Sequence, residues 1–251
     1  MHIVIFTGGD APEPELTRTY FSSRHPDYVI AADSGLITYE VYADFFSPLF
    51  KKSPDAILGD MDSLADRKKS EILKKYPAEV IQTFIEDKDY TDTELALEKA
   101  HDILRRRPAE KEESASTITL VGAGGGRRSD HFLAVFDLFS TDRRPDVWLA
   151  GEQTFWCALE GDQFEITGLD LHDMISLART TASRTGGKVH SEGLLWEYDT
   201  FRPEGMPSIS NRISPEYFEG KKPVRISVGE GRFLLILPTG VRVRLEHTSN
   251  Q

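Results

Sequence analysis

The sequence predicts an α/β protein in which an N-terminal domain on a parallel sheet is followed by a C-terminal all-β sandwich. Up to about residue 141, short apolar runs alternate with helix-like stretches, the pattern of a parallel sheet with helices on its faces. Beyond Pro145 the texture changes to short β-like segments broken by Gly, Pro and Asp. Four acidic or glycine-rich signatures also sit where an apolar run gives way to a helical pattern. In a parallel sheet they would converge at the carboxyl edge of the strands. We therefore divide the chain into residues 1–143 and 144–251.

The apolar runs at 3–6, 28–32, 56–58, 80–84 and 117–121 supply the parallel strands. Between the last two, a helix over 92–107 has Leu97, Ala100, Ile103 and Leu104 on one face and Glu94, Glu98, Asp102 and Arg105 elsewhere. Thr91 and Glu94 have the spacing of a capping box at its start, and Pro108 ends it. The polar residues 108–116 read as a loop. A glycine-rich turn over 122–126 leads into a helix carrying Phe132, Leu133, Val135, Phe136 and Leu138. In the C-terminal half, strands are expected at 147–150, 163–167, 174–178, 194–198, 224–228 and 233–237.

With 251 residues, 39% of them hydrophobic, the chain can build proper cores without staples. The single cysteine, Cys157, lies in an apolar stretch, which excludes an internal disulfide framework and a thiolate zinc cluster and suggests a buried thiol. The first residues lack the basic segment and long apolar core of a signal peptide, and no stretch is apolar enough to span a bilayer, so a cytoplasmic location is expected. Forty-one acidic against 30 basic residues give a net charge of -11, which disfavours nucleic acid and anionic membrane as partners. An anionic substrate would need local cations or a metal.

The run Ala56-Ile57-Leu58 leads into Gly59-Asp60-Met61-Asp62-Ser63. In extended geometry the period of two puts Asp60 and Asp62 on one side, where the carboxylates repel unless a cation lies between them. Mg²⁺ suits such a pair, since it takes one or two carboxylates and fills its shell with water and phosphate oxygens. The structural alternative is that Asp62 or Ser63 caps the next helix. Asp92 likewise has a structural role in the first helical turn, but Asp87 and Asp89 crowd the same loop with only Lys88 as an adjacent cation.

In the sequence Gly122-Ala123-Gly124-Gly125-Gly126-Arg127-Arg128-Ser129-Asp130-His131, backbone N–H groups and arginines at a helix start suit an anion. The run is neither a P-loop nor a G-x-G-x-x-G site. A flexible turn with solvated arginines remains the alternative. The turn Thr7-Gly8-Gly9-Asp10 could line the same pocket, and His131 beside Asp130 reads as a hydrogen-bonded structural histidine. In the second half, the stretch ending Gly193-Leu194-Leu195-Trp196 and the segment Ser208-Ile209-Ser210-Asn211 stand out. Trp196 could pack in a core or stack on a cationic heterocycle.

Taken in order, Ala31-Ala32-Asp33-Ser34-Gly35, Gly-Asp-Met-Asp-Ser, Asp87-Lys88-Asp89-Tyr90-Thr91-Asp92, the glycine-rich Arg-x-Asp-His, Gly-Leu-x-Trp and Ser-Asn make the chain resemble the thiamine pyrophosphokinase family over nearly its whole length. The resemblance implies transfer of a diphosphate from ATP to thiamine, giving thiamine diphosphate and AMP, with Mg²⁺ as cofactor. It implies an ATP-binding catalytic domain over 1–143 and a thiamine-binding, dimerising sandwich over 144–251, in a homodimer with sites between subunits. Carried over by position, Asp60, Asp62 and Asp92 would hold the metal, and with Asp130 they would be catalytic. Asp33, Gly35, Ser63, Arg128 and Asp130 would bind ATP. Asp92, Trp196, Ser210 and Asn211 would serve thiamine. Two departures are Arg127, where a glycine is usual, and Leu195, where a polar residue is frequent. Open alternatives are a pyrophosphokinase for another heterocyclic alcohol such as a pterin, and a non-catalytic thiamine or nucleotide sensor.

Overall fold

β1 (His2–Phe6) is buried at all five positions, because parallel strands are covered on both faces and need no polar side. The computed structural model describes residues 1–59, 71, 74–82, 90–107, 116–125, 129–181, 186–198 and 206–247. After β1 come α1 (Arg18–Ser23), β2 (Tyr28–Ala32), α2 (Gly35–Phe45), β3 (Ala56–Leu58), β4 (Ile81–Gln82), α3 (Asp92–Arg105), β5 (Thr117–Val121), α4 (Ser129–Leu138) and β6 (Val147–Ala150). The rest is β7 (Gln153–Leu159), β8 (Asp162–Thr167), β9 (Ile175–Arg179), β10 (Lys188–Glu192), β11 (Ser208–Asn211), α5 (Pro215–Glu219), β12 (Val224–Glu230), β13 (Arg232–Pro238) and β14 (Arg242–His247).

A ten-stranded sheet runs β11-β9-β13-β7-β6-β5-β1-β2-β3-β4, and a four-stranded sheet runs β10-β12-β8-β14. Every pairing from β4 to β6 is parallel, and every pairing from β6 to β11 is antiparallel. The sheet thus passes from parallel to antiparallel at β6, without a break. β6, grouped by its sequence texture with the second half, pairs in parallel with β5, since Val147 lies opposite Thr119 and Leu149 opposite Val121.

Alternate residues of the large sheet feed two cores. Val4 and Phe6 face α1 and α2 through Tyr20, Phe21, Leu36, Tyr39 and Tyr42. The same core continues under the small sheet, where Phe164, Ile166, Val224, Ile226 and Val243 meet Trp156, Leu177, Leu235 and Leu237 in a β-sandwich arrangement. Ile3 and Ile5 face the opposite way, toward Ala96, Leu97 and Ala100 of α3 and Val135 of α4. Cys157 is buried, and burial pushes its thiol up to about 11.

The expected strands at 3–6, 28–32, 56–58 and 117–121 appear with shifts of at most one residue. At 80–84 the strand starts after a 3₁₀ turn over Ala78–Val80, and residues 83–84 lie outside the described ones. The strand expected at 194–198 is instead a turn, with Leu194 making only an isolated bridge to Ile213. β7, β10 and β14 were not read as strands, and each is held by its antiparallel neighbours. Among the described residues no helix is long and apolar enough to cross a membrane.

Candidate active site

Along the chain, β1 is followed by β2, β3 and β4 on one side of the sheet and then by β5 and β6 on the other. The strand order therefore reverses between β1 and β5, the point at which open α/β sheets form a ligand crevice beyond their carboxyl ends. A cavity of about 520 Å³ opens there. Its floor comes from Thr7-Gly8-Gly9 after β1, Asp33-Ser34 after β2 and Ala123-Gly124-Gly125 after β5. Thr91 to Glu94 at the start of α3 form one wall, and His131, Ala134, Val135 and Leu138 of α4 form the other.

The floor exists because two glycine turns interlock. Ala123 N–H donates to the Gly8 carbonyl at 2.7 Å, and Asp10 N–H donates to the Gly124 carbonyl at 2.8 Å. A Cβ at Gly9 would lie 2.7 Å from the Gly124 oxygen, and one at Gly122 would lie 2.6 Å from the Thr7 oxygen, so side chains at either position would force the loops apart. Both glycines also have positive φ, at 99° and 91°. Asp33 and Ala123 hold φ values of 47° and 61°, a region that L-residues populate at a cost. Such strain clusters at functional sites.

The α3 wall is fixed by its cap. Thr91 Oγ1 accepts from Glu94 N–H at 3.2 Å, and the Glu94 carboxylate accepts from Thr91 N–H at 2.8 Å. Glu94 is held by this cap, and both Glu94 and Asp92 line the cavity.

Of the residues singled out from sequence, the structure brings Asp33 and Asp92 to this cavity. Gly35 starts α2 one residue beyond Ser34 and is buried. Asp130 stands in the first turn of α4, beside His131, and is exposed. His131, read from sequence as structural, lines the cavity wall. Asp60, Asp62, Ser63, Arg127 and Arg128, with Asp87 and Asp89, lie outside the described residues. The chain does enter the Asp60 segment from the same sheet edge: Asp33 N–H donates to the Leu58 carbonyl at 2.8 Å, and a Cβ on Gly59 would sit 3.3 Å from the Asp33 nitrogen. Ala123, Ala134 and Leu138 were missed, since small and aliphatic residues carry no chemical signal apart from their place in the fold.

Trp196, Ser210 and Asn211 form a second group elsewhere. β11 is five strand positions from β5, across β9, β13, β7 and β6, which is roughly 24 Å. Trp196 is 60% exposed although most of its neighbours are packed. Asn211 is fully buried, and Ser210 holds a positive φ of 58°. Among the described residues no three His, Cys, Asp or Glu side chains cluster as a metal site. A hollow of about 320 Å³ on the outer face of the small sheet is lined by an exposed ladder in which Arg225 already pairs with Glu165 and Glu192.

The sequence profile described as "Thiamin pyrophosphokinase, catalytic domain" matches residues 22–149, which include β2 to β6 and both cavity walls. No curated protein matches the chain. Among solved structures, a thiamine pyrophosphokinase from Bacillus subtilis aligns over 95% of this chain and 99% of its own with a TM-score of 0.68 at 21% identity. A thiamin pyrophosphokinase family protein from Enterococcus faecalis aligns over 95% and 99%, with a TM-score of 0.66 at 20% identity. The thiamin pyrophosphokinase from Candida albicans aligns over 94% and 90%, with a TM-score of 0.62 at 14% identity. At these identities the likeness is one of fold. The profile covers about half of the chain, and that half supplies Asp33, Asp92 and the glycine turn after β5 to the switch-point cavity, so the chain belongs to the thiamin pyrophosphokinase family.

Proposed function

We propose that the protein transfers the diphosphate of ATP to the hydroxyethyl group of thiamine, releasing AMP. The observation that carries this reading is the switch-point cavity itself, where Asp33, Asp92 and the glycine turn after β5 stand at the strand ends inside the segment matched to the family, beside the Gly8-Gly9 turn that precedes it. Residues 1–143 would supply the nucleotide side and residues 144–251 the thiamine side and the dimer contact.

Transfer of this kind asks for alignment and charge neutralisation more than covalent work by the protein. The turns at Gly8-Gly9 and Gly124-Gly125 line the cavity, where their backbone would meet phosphate oxygens. Arg128 would offset their charge, while Asp33, Gly35, Ser63 and Asp130 would help hold the nucleotide. Asp33, Asp92, Ser34 and Thr93 are hard oxygen donors, which fits Mg²⁺. Asp92 with Asp60 and Asp62 would hold that ion, which when bound would neutralise phosphate charge. Asp92 would also orient or accept the proton of the thiamine hydroxyl. Trp196, with Ser210 in the adjoining segment, would receive the cationic ring, and the buried Asn211 would serve that side from behind. Since Trp196 and Asp92 lie on separate parts of one chain, the reading includes a homodimer in which one subunit's Trp196 approaches the other's cavity. A cytoplasmic location fits the substrates.

Incubation with ATP, Mg²⁺ and thiamine, followed by product identification, tests the reading. AMP together with thiamine diphosphate is expected. ADP would make the protein an ordinary kinase. AMP with a pterin alcohol but not with thiamine would move the acceptor, and binding without turnover would make it a sensor.

A further inference from the structure

Trp196 exposes 60% of its surface, yet the chain around it is held unusually firmly. Asn211, with no exposed surface, accepts from Trp196 N–H at 3.3 Å and donates through Nδ2 to the Trp196 carbonyl at 2.7 Å. Its Oδ1 also accepts from Arg212 N–H at 2.9 Å. One side-chain amide thus grips both polar groups of the Trp196 backbone, as a neighbouring strand would. On the other side, Glu197 closes the turn: Oε1 accepts from Gly193 N–H at 2.7 Å and Leu194 N–H at 3.2 Å, while Oε2 accepts from the Ser191 hydroxyl. Ser191 is buried and in turn accepts from Tyr198 N–H at 2.7 Å. Gly193 has φ 97° and leaves no room for a Cβ against the Tyr217 ring at 2.4 Å, so the turn cannot relax that way.

A solvated indole needs none of this. Seven hydrogen bonds around a turn that presents its largest apolar side chain to solvent are the mark of a contact surface held ready before its ligand arrives. Asn211, buried and with both ends of its amide engaged by protein, has no surface with which to touch a substrate.

We propose that Asn211 and Glu197 are positioning residues that act on the thiamine ring through Trp196, Asn211 by bracing its backbone and Glu197 by locking the preceding turn. The assignment rests on the thiamine reading above and deepens it. It separates Asn211 from Trp196 in role, and it adds Glu197 to the residues that serve the acceptor side.

The test uses the full-length protein and the fluorescence of Trp196. Trp148 and Trp156 are buried, so the acrylamide-accessible emission belongs to Trp196, and a Trp196→Phe variant should lack it. Glu197→Ala and Asn211→Asp should each make this emission more accessible to acrylamide. Both should raise the thiamine concentration needed for half-maximal protection and the KM for thiamine about tenfold, while kcat and the KM for ATP stay within about twofold. Glu197→Gln keeps the acceptor for the two N–H groups and should stay within about threefold of the parent. Glu197→Ala lies on an exposed side chain and tests the idea even if Asn211→Asp folds poorly. Unchanged thiamine KM and quenching in Glu197→Ala, equal losses for ATP and thiamine, or a Glu197→Gln variant as poor as Glu197→Ala would overturn the proposal. If thiamine leaves the parent's Trp196 emission unprotected, the thiamine reading fails, whereas the brace itself is still read by the quenching difference between parent and variants.

Discussion

Gly35 shows how a residue can look like a ligand contact and carry a packing duty. It begins α2, and a Cβ there would lie 2.3 Å from the Phe6 carbonyl oxygen and 2.5 Å from Thr7 Cα, both backbone atoms of β1 and the turn that follows it. Gly35→Ala should therefore push α2 off the sheet at the cavity's floor, costing about 2 kcal/mol and lowering Tm by roughly 4–8 °C. A thermal scan that finds Tm unchanged would show that the helix start yields freely. His2 carries a second residue-scale consequence. It is 8% exposed, donates or accepts at Thr119 Oγ1 over 2.8 Å, and burial holds its imidazole down at about 4. Arg24 opposes its charge and Asp27 favours it. A histidine lowered in the folded state is neutral there, while the unfolded chain binds a proton below about 6.5, so stability is full above that value and falls as pH drops toward 4. Between pH 7 and pH 5 the loss from this group is about 2 kcal/mol. The buried Asp146, pushed up by burial, works in the opposite direction, so the His2 share is read as a difference. Urea melts at both pH values should show a steeper loss in the parent than in His2→Gln, and parallel losses would remove His2 as the source.

At the scale of elements, α3 matters most because its first turn is a cavity wall. The Thr91–Glu94 box satisfies orphan N–H groups there, and Thr91→Ala should cost about 1 kcal/mol and loosen the placement of Asp92. A Tm drop of roughly 2–4 °C is the expected readout, and an unchanged Tm would mean that tertiary packing of Ala96, Leu97 and Ala100 alone holds the end. This helix was legible in the sequence from cap to last turn, as were β1, β2, β3 and β5, because two-sided burial leaves unbroken apolar runs and the caps are local chemistry. β10 and β14 were not. Lys188–Glu192 buries only Val189 and the polar Ser191, and Arg242–His247 buries only Val243, so neither carries an apolar alternation, and their pairing is decided by β12 and β8. The segment 194–198 misled in the opposite sense: its apolar residues read as a strand, whereas Glu197 and Asn211 tie it into a turn. On the site, Asp33 and Asp92 were legible from acidic motifs at strand ends, while Ala123 and Leu138 enter only through the fold that brings their elements together.

Across the whole molecule, the continuous sheet sets the geometry that the chemistry must satisfy. The switch-point cavity sits between β1 and β5, and the Trp196 turn flanks β11 at the far edge, with five strand spacings between β5 and β11. Hinge motion within one chain does not readily close such a gap, because β6 bonds to β5 on one side and to β7 on the other. The proposed two-fold pair of subunits would do so without deformation, each lending its Trp196 to the other's Asp92. The arrangement makes a sharp genetic prediction. Asp92→Asn and Trp196→Ala should each be nearly inactive alone, since every site in either homodimer carries the lesion. After subunit exchange at equal concentrations, about half of the dimers are mixed, and each mixed dimer has one site with both lesions and one with neither, so activity should return to about a quarter of the parent level. Activity of the mixture should also fall on dilution below the dimer's dissociation constant. A mixture that stays inactive after demonstrated exchange would place Trp196 and Asp92 in the same subunit's site, and would require a rearrangement across β6 that the sheet opposes.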